Sequence, residues 1–108
     1  MRTHQEIDAR SLALHCLIAQ KIRNNPALLE QAKHTLMAWR SKVAAASLPY
    51  LDEWEKLLNQ GLDTCLAVAT AENEYATALR QSSPFTSILS HQERFIFLRT
   101  WKAEHEAQ

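Results

Sequence analysis

A single glycine, Gly61, in a chain of 108 residues decides most of what this polypeptide can become. Sheets joined by tight turns call repeatedly for glycine at positive-φ positions. Helices joined by short polar loops need few such residues. The rest of the composition agrees, because Ala, Leu, Glu, Gln, Lys and Arg, which lose little on entering a helix, dominate. The expected fold is all-α, a bundle of five to six helices forming a single domain over residues 1–108.

The punctuation of the chain predicts where these helices begin and end. Thr3 and Glu6 have capping-box spacing ahead of an apolar stripe through Ile7, Leu14, Ile18 and Ile22. Asn24, Asn25 and Pro26 should close that helix, with Asn25 capping the next one and Pro26 in its first turn. The second helix carries Leu29, Ala32, Leu36, Trp39 and Val43 inward and extends through Ala44–Ala46 toward Ser47. Ser47 is the expected cap of a third helix that ends at Gly61. Residues 62–81 are predicted to break near Thr70 and restart at Asn73, carrying Tyr75 and Leu79 inward. A proline loop at 81–86 leads to a short turn at Ile88 and Leu89, and Ser90 with Glu93 opens the last helix. Trp39, Trp54 and Trp101 are expected to contribute to the core.

Charge and cysteine content exclude several function classes. Twelve basic residues balance twelve acidic ones, which disfavours broad nucleic-acid or membrane binding. The charges are nevertheless segregated. Residues 1–45 are rich in Lys and Arg, and residues 50–75 are acidic. The two segments either pair inside the bundle or leave a basic patch for a partner. Lys56 is placed to pair with Asp52, and Glu55 has no partner on its own helix. Cys16 and Cys65 are isolated and read as buried free thiols. With no apolar leader and no apolar run near the ~20 residues of a membrane span, the expected location is cytoplasmic.

The chain offers little catalytic vocabulary. His4, His15, His34, His91 and His105 are scattered without ligand spacing, so no metal is expected. One glycine allows no phosphate-cradling loop and no nucleophile elbow, so no cofactor is expected, and Ser82, Ser83 and Cys65 are nucleophiles in type only. The segment Arg10-Ser-Leu-Ala-Leu-His15 is the exception. Its Arg-x4-His spacing resembles the signature of HEPN-type helical ribonucleases, and the resemblance implies that Arg10 and His15 act as catalytic residues on an RNA phosphate, usually across a dimer interface. Arg99 and His105 are a looser second match.

A different group of residues points to docking. Arg80-Gln-Ser82-Ser83-Pro-Phe85 presents an arginine, polar side chains and an aromatic on a proline-fixed loop, with Phe85 either exposed for a partner or folded into the core. Arg94 and Arg99 lie beside Trp101 on the last helix, a grouping over-represented in interface hot spots. The partner-binding candidates are thus Arg80, Ser82, Ser83, Phe85, Arg94 and Arg99. The opening Thr3–His15 stretch and the Leu79–Phe85 segment give the chain a general look that resembles small helical bacterial proteins accompanying toxin–antitoxin or related defence modules. That resemblance implies an antitoxin-like regulatory role and transfers no functional residue. The leading expectation is a non-enzymatic protein that binds another protein, with a homodimer left open. A ribonuclease using Arg10 and His15, and nucleic-acid binding through the basic N-terminal helices, are the alternatives.

Overall fold

Among the described residues the chain forms six α-helices and two short 3₁₀ turns, and no strand. The computed structural model describes residues 3–106. In chain order the helices are α1 (His4–Asn24), α2 (Leu28–Arg40), α3 (Leu48–Gln60), α4 (Leu62–Ala69), α5 (Glu74–Arg80) and α6 (His91–Glu106). The 3₁₀ turns, Ala45–Ser47 and Thr86–Ile88, precede α3 and α6.

Both predicted capping boxes form. The Glu6 amide donates to Thr3 Oγ1 at 3.1 Å while the Thr3 amide donates to Glu6 Oε2 at 3.2 Å. At the start of α6 the Glu93 amide donates to Ser90 Oγ at 3.1 Å and the Ser90 amide to Glu93 Oε1 at 2.8 Å. Each box satisfies two backbone donors that a helix start otherwise leaves open. The break at Thr70 is present, and Asn73 Oδ1 caps α5 by accepting from the Ala76 amide at 2.8 Å. Gly61 has φ 114°, a value L side chains rarely adopt, and separates α3 from α4.

Three junctions differ from the sequence reading. Asn25 and Pro26 form the turn itself, and α2 begins at Leu28 without a side-chain cap. Helix α2 stops at Arg40 rather than running through the alanines. Ala44 is extended (φ −64°, ψ 151°), which turns the chain so that α3 packs back on α2. Ser47 closes the 3₁₀ turn and makes no capping bond. Intrinsic alanine propensity is a small per-residue preference, and the packing of α3 on α2 overrides it.

One hydrophobic cluster draws on α1 through α5 and on the segment 85–89. Helix α1 packs against α4 and α5, and its Leu14, Ile18, Ala19 and Ile22 share that cluster with Leu51, Trp54, Leu57 and Leu58 of α3 and Cys65, Leu66 and Ala69 of α4. Trp54 is fully buried, donates its indole N–H to the Leu79 carbonyl at 2.8 Å, and meets the Phe85 ring edge-on with centroids 5.2 Å apart. Trp39 packs at the margin of the cluster, and Trp101 is half-buried on α6 outside it. Tyr75 is 48% exposed rather than inward, because α5 turns Ala76, Leu79 and Arg80 to the interior; its hydroxyl donates to Glu53 Oε2 at 2.8 Å. Cys65 is buried and burial raises its thiol pKa to about 12, whereas Cys16 lies exposed on the outer side of α1. No helix of the described residues is long and apolar enough to cross a membrane.

Opposite charges meet between elements. Arg40 of α2 bridges Asp52 and Glu55 of α3, both at 2.6 Å, and so takes the role expected of Lys56. Arg23 lies 3.6 Å from Asp63 of α4. Part of the basic N-terminal excess is therefore paired with the acidic middle of the chain. These exposed pairs fix orientation more than they stabilise.

Candidate functional site

An open cavity of about 520 Å³ lies between α1, α5 and α6. Arg10 and His15 line it from α1, Arg80 from α5, and Arg94, Phe97 and Leu98 from α6. Arg10 and His15, paired in the sequence reading, thus share one cavity. Arg94 belongs to the second candidate set, so residues from both readings meet here.

His15 is 1% exposed and committed at both ring nitrogens. Nδ1 lies 2.7 Å from the Ser11 carbonyl, an atom that only accepts, so Nδ1 carries the proton. Nε2 then accepts from Ser83 Oγ at 2.7 Å, and the same Ser83 oxygen accepts from the Phe85 amide at 3.1 Å. The imidazole joins α1 to the proline loop across 68 residues of sequence. Desolvation lowers its pKa, the Ser11 carbonyl opposes that shift, and the positive charge of Arg80 adds to it. A neutral, doubly bonded imidazole has no lone pair to receive a substrate proton. Ser83 and His15 form a hydroxyl–imidazole pair of the type used in nucleophilic catalysis. Ser83, however, is buried and does not line the cavity.

This arrangement makes stability pH-dependent. The unfolded chain takes up a proton near the ordinary histidine pKa of about 6.5, and the folded chain refuses it until lower pH. The stabilisation is complete above that value and declines as pH falls toward the folded-state pKa, with a limiting slope of about 1.4 kcal/mol per pH unit. Urea midpoints measured from pH 7.5 down to 5 should fall, and His15→Gln should flatten that part of the curve. Glu93, held down to about 2 chiefly by its hydrogen bond from Lys21, acts in the separate window below its ordinary range.

Arg80 is 6% exposed. Its guanidinium donates to the carbonyls of Ala69 (3.1 Å) and Ala71 (2.8 Å) and to Thr77 Oγ1 (3.2 Å), tying the end of α4 to α5. Desolvation lowers its pKa. No carboxylate lies within ion-pair distance of Arg10, Arg80 or Arg94 among the described residues.

The residues proposed for partner binding therefore separate into two groups. Arg80, Ser83 and Phe85 point into the protein, which corrects the expectation that this loop displays them to a partner; the loop folds back because Phe85 fills the space beside Trp54. Ser82 is half-buried beside a shallow hollow of about 280 Å³ with Trp39, Val43 and Leu51. Arg94 and Arg99 remain exposed on α6.

Helix α6 also shows what the sequence reading missed. None of residues 91–105 is buried, and from this helix only Phe97 packs against the core cluster. Phe95 and Ile96 are 63% and 55% exposed. At 100° per residue, Gln92, Phe95, Ile96, Arg99 and Ala103 share the outward face, while Glu93, Phe97 and Trp101 face the bundle. The signal was the breadth of apolar residues from Phe95 to Leu98, wider than one buried stripe requires. Among the described residues no cluster of three or more His, Cys, Asp or Glu could hold a metal ion.

No protein-family model, curated protein or solved structure matches this chain, so its functional reading rests on the geometry of α6 and of the cavity beneath it.

Proposed function

We propose that this protein is a non-enzymatic interaction module that binds, through the outer face of α6, a partner protein presenting apolar side chains ringed by carboxylates. The observation that carries this reading is the adjacent pair Phe95 and Ile96, exposed on the outward face of a helix that has no buried residue from 91 to 105. Adjacent large apolar side chains in water mark an interaction surface more often than isolated ones do. The charges around them choose the partner. Among the described side chains of α6, Arg94, Arg99 and Lys102 are exposed with Glu104 as the exposed acid, since Glu93 is engaged by Lys21. A second copy of the chain would set like cations near one another across the contact, whereas an acidic surface complements them. A polynucleotide would meet these cations and leave the apolar pair without a role.

The test is affinity capture from native cells followed by titration with the purified partner. Phe95→Glu or Ile96→Glu should weaken the complex at least ~30-fold, as expected for a hot-spot side chain. Arg99→Glu should weaken it about tenfold. Met37→Glu, at an exposed apolar position on α2, should leave affinity unchanged. A dimer of the isolated protein in sedimentation that Phe95→Glu dissociates, or capture of RNA in place of protein, would overturn the proposal.

A further inference from the structure

The cavity between α1, α5 and α6 shares Arg94 with the docking reading and otherwise stands apart from it, and its lining is specific. Arg10, Arg80 and Arg94 reach it from three different helices, and among the described residues Asp8 is the one acidic side chain that lines it. Histidines set aside, three arginines against one aspartate leave a formal surplus of two positive charges. On the same wall lie Ile7, Leu14, Phe97 and Leu98. We infer that this cavity is a binding site for a small organic phosphate, whose dianionic group is held by Arg10 and Arg94 and whose carbon portion rests on Phe97 and Leu98.

Three considerations support that ligand class. A guanidinium matches phosphate oxygens with paired donors and keeps its charge at any physiological pH. The surplus of two charges equals that of a phosphate monoester. The volume of about 520 Å³ lies in the range of small-ligand sites, which combine apolar walls with a few placed polar groups. Arg80 contributes its charge to the field, while its hydrogen bonds go to Ala69, Ala71 and Thr77. His15 shapes the wall with both nitrogens occupied, so the site binds an anion without the means to move its protons. A bound phosphate would span α1 and α6, fastening α6 to the bundle in addition to the Lys21–Glu93 pair and the Phe97 contact.

Titration of the 108-residue chain at low salt with inorganic pyrophosphate and with phenyl phosphate, followed by calorimetry and amide chemical shifts, tests the inference. Both probes should bind saturably at one site, with shifts concentrated around residues 10, 15, 94 and 97. Phenyl phosphate should bind more tightly per charge because it uses the apolar wall. Arg10→Gln and Arg94→Gln should each weaken binding tenfold or more while unfolding at unchanged urea concentration, since a hydrogen bond to a charged group accounts for that factor. Lys42→Gln, on an exposed residue outside the cavity, should bind like the parent protein. Arg80 is left intact because its substitution disturbs the fold. Absence of saturable binding, affinity untouched by both arginine variants, equal weakening in Lys42→Gln, or a preference for single-stranded RNA over either small probe would each overturn the inference.

Discussion

Phe85→Ala should lower the free energy of unfolding by about 3–5 kcal/mol, the range for removing a large aromatic from a core that closes only partly around the void. Phe85 is fully buried and stands at 82° to the Trp54 ring. That edge-to-face pair adds about 0.5–1.5 kcal/mol beyond the area buried. For a domain with a total stability of about 5–15 kcal/mol, such a loss should be plain in urea unfolding as a lower midpoint with an unchanged slope. Phe95→Ala on α6 is the matched comparison. That ring is 63% exposed, and its removal should change stability by about 0.5 kcal/mol or less. A Phe85→Ala loss below about 1 kcal/mol would contradict the packing of Phe85 against Trp54.

Arg80→Leu should cost about 2–4 kcal/mol, although leucine is the more usual core residue. The guanidinium supplies the donors for the Ala69 and Ala71 carbonyls at the end of α4. Removing those donors leaves the buried Ala69 carbonyl without this hydrogen bond, at a cost of about 1–3 kcal/mol for an unsatisfied group, with a smaller loss at the partly buried Ala71. Arg80→Lys should recover only part of the loss, because one ammonium cannot reproduce the fork that spans two carbonyls and Thr77 Oγ1. Hydrogen exchange should locate the damage. Amides around residues 69–77 should lose protection in both variants, with those of α1 near Ile18 affected only through global unfolding. Equal stability of Arg80→Leu and the parent would show that solvent or another donor satisfies those carbonyls.

The helical architecture was legible because its signals are local. The boxes at Thr3/Glu6 and Ser90/Glu93 and the cap at Asn73 each depend on residues three apart, and all three form. What was hidden depends on partners distant in sequence. Arg80 reads as a surface residue until the Ala69 and Ala71 carbonyls turn toward it, and nothing in the Arg80–Phe85 segment foretells that. Ser83 looks like a polar loop residue until His15, 68 positions away, accepts its hydrogen bond. The premature end of α2 has the same origin, since α3 rather than the alanine run decides where the chain turns. Arg10 and His15 were marked by their spacing, but which other side chains join them in one cavity depends on how α5 and α6 pack.

Lys21 grips α6 at its first turn, holding Glu93 at 2.6 Å and the Ile88 carbonyl at 2.8 Å, with Phe97 seated one turn further along. Beyond that anchorage the helix runs on to Glu106 with no buried residue as far as His105. The amides beyond Phe97 should therefore exchange with solvent sooner than those of the anchored first turns, because few buried contacts hold that end of the helix in place.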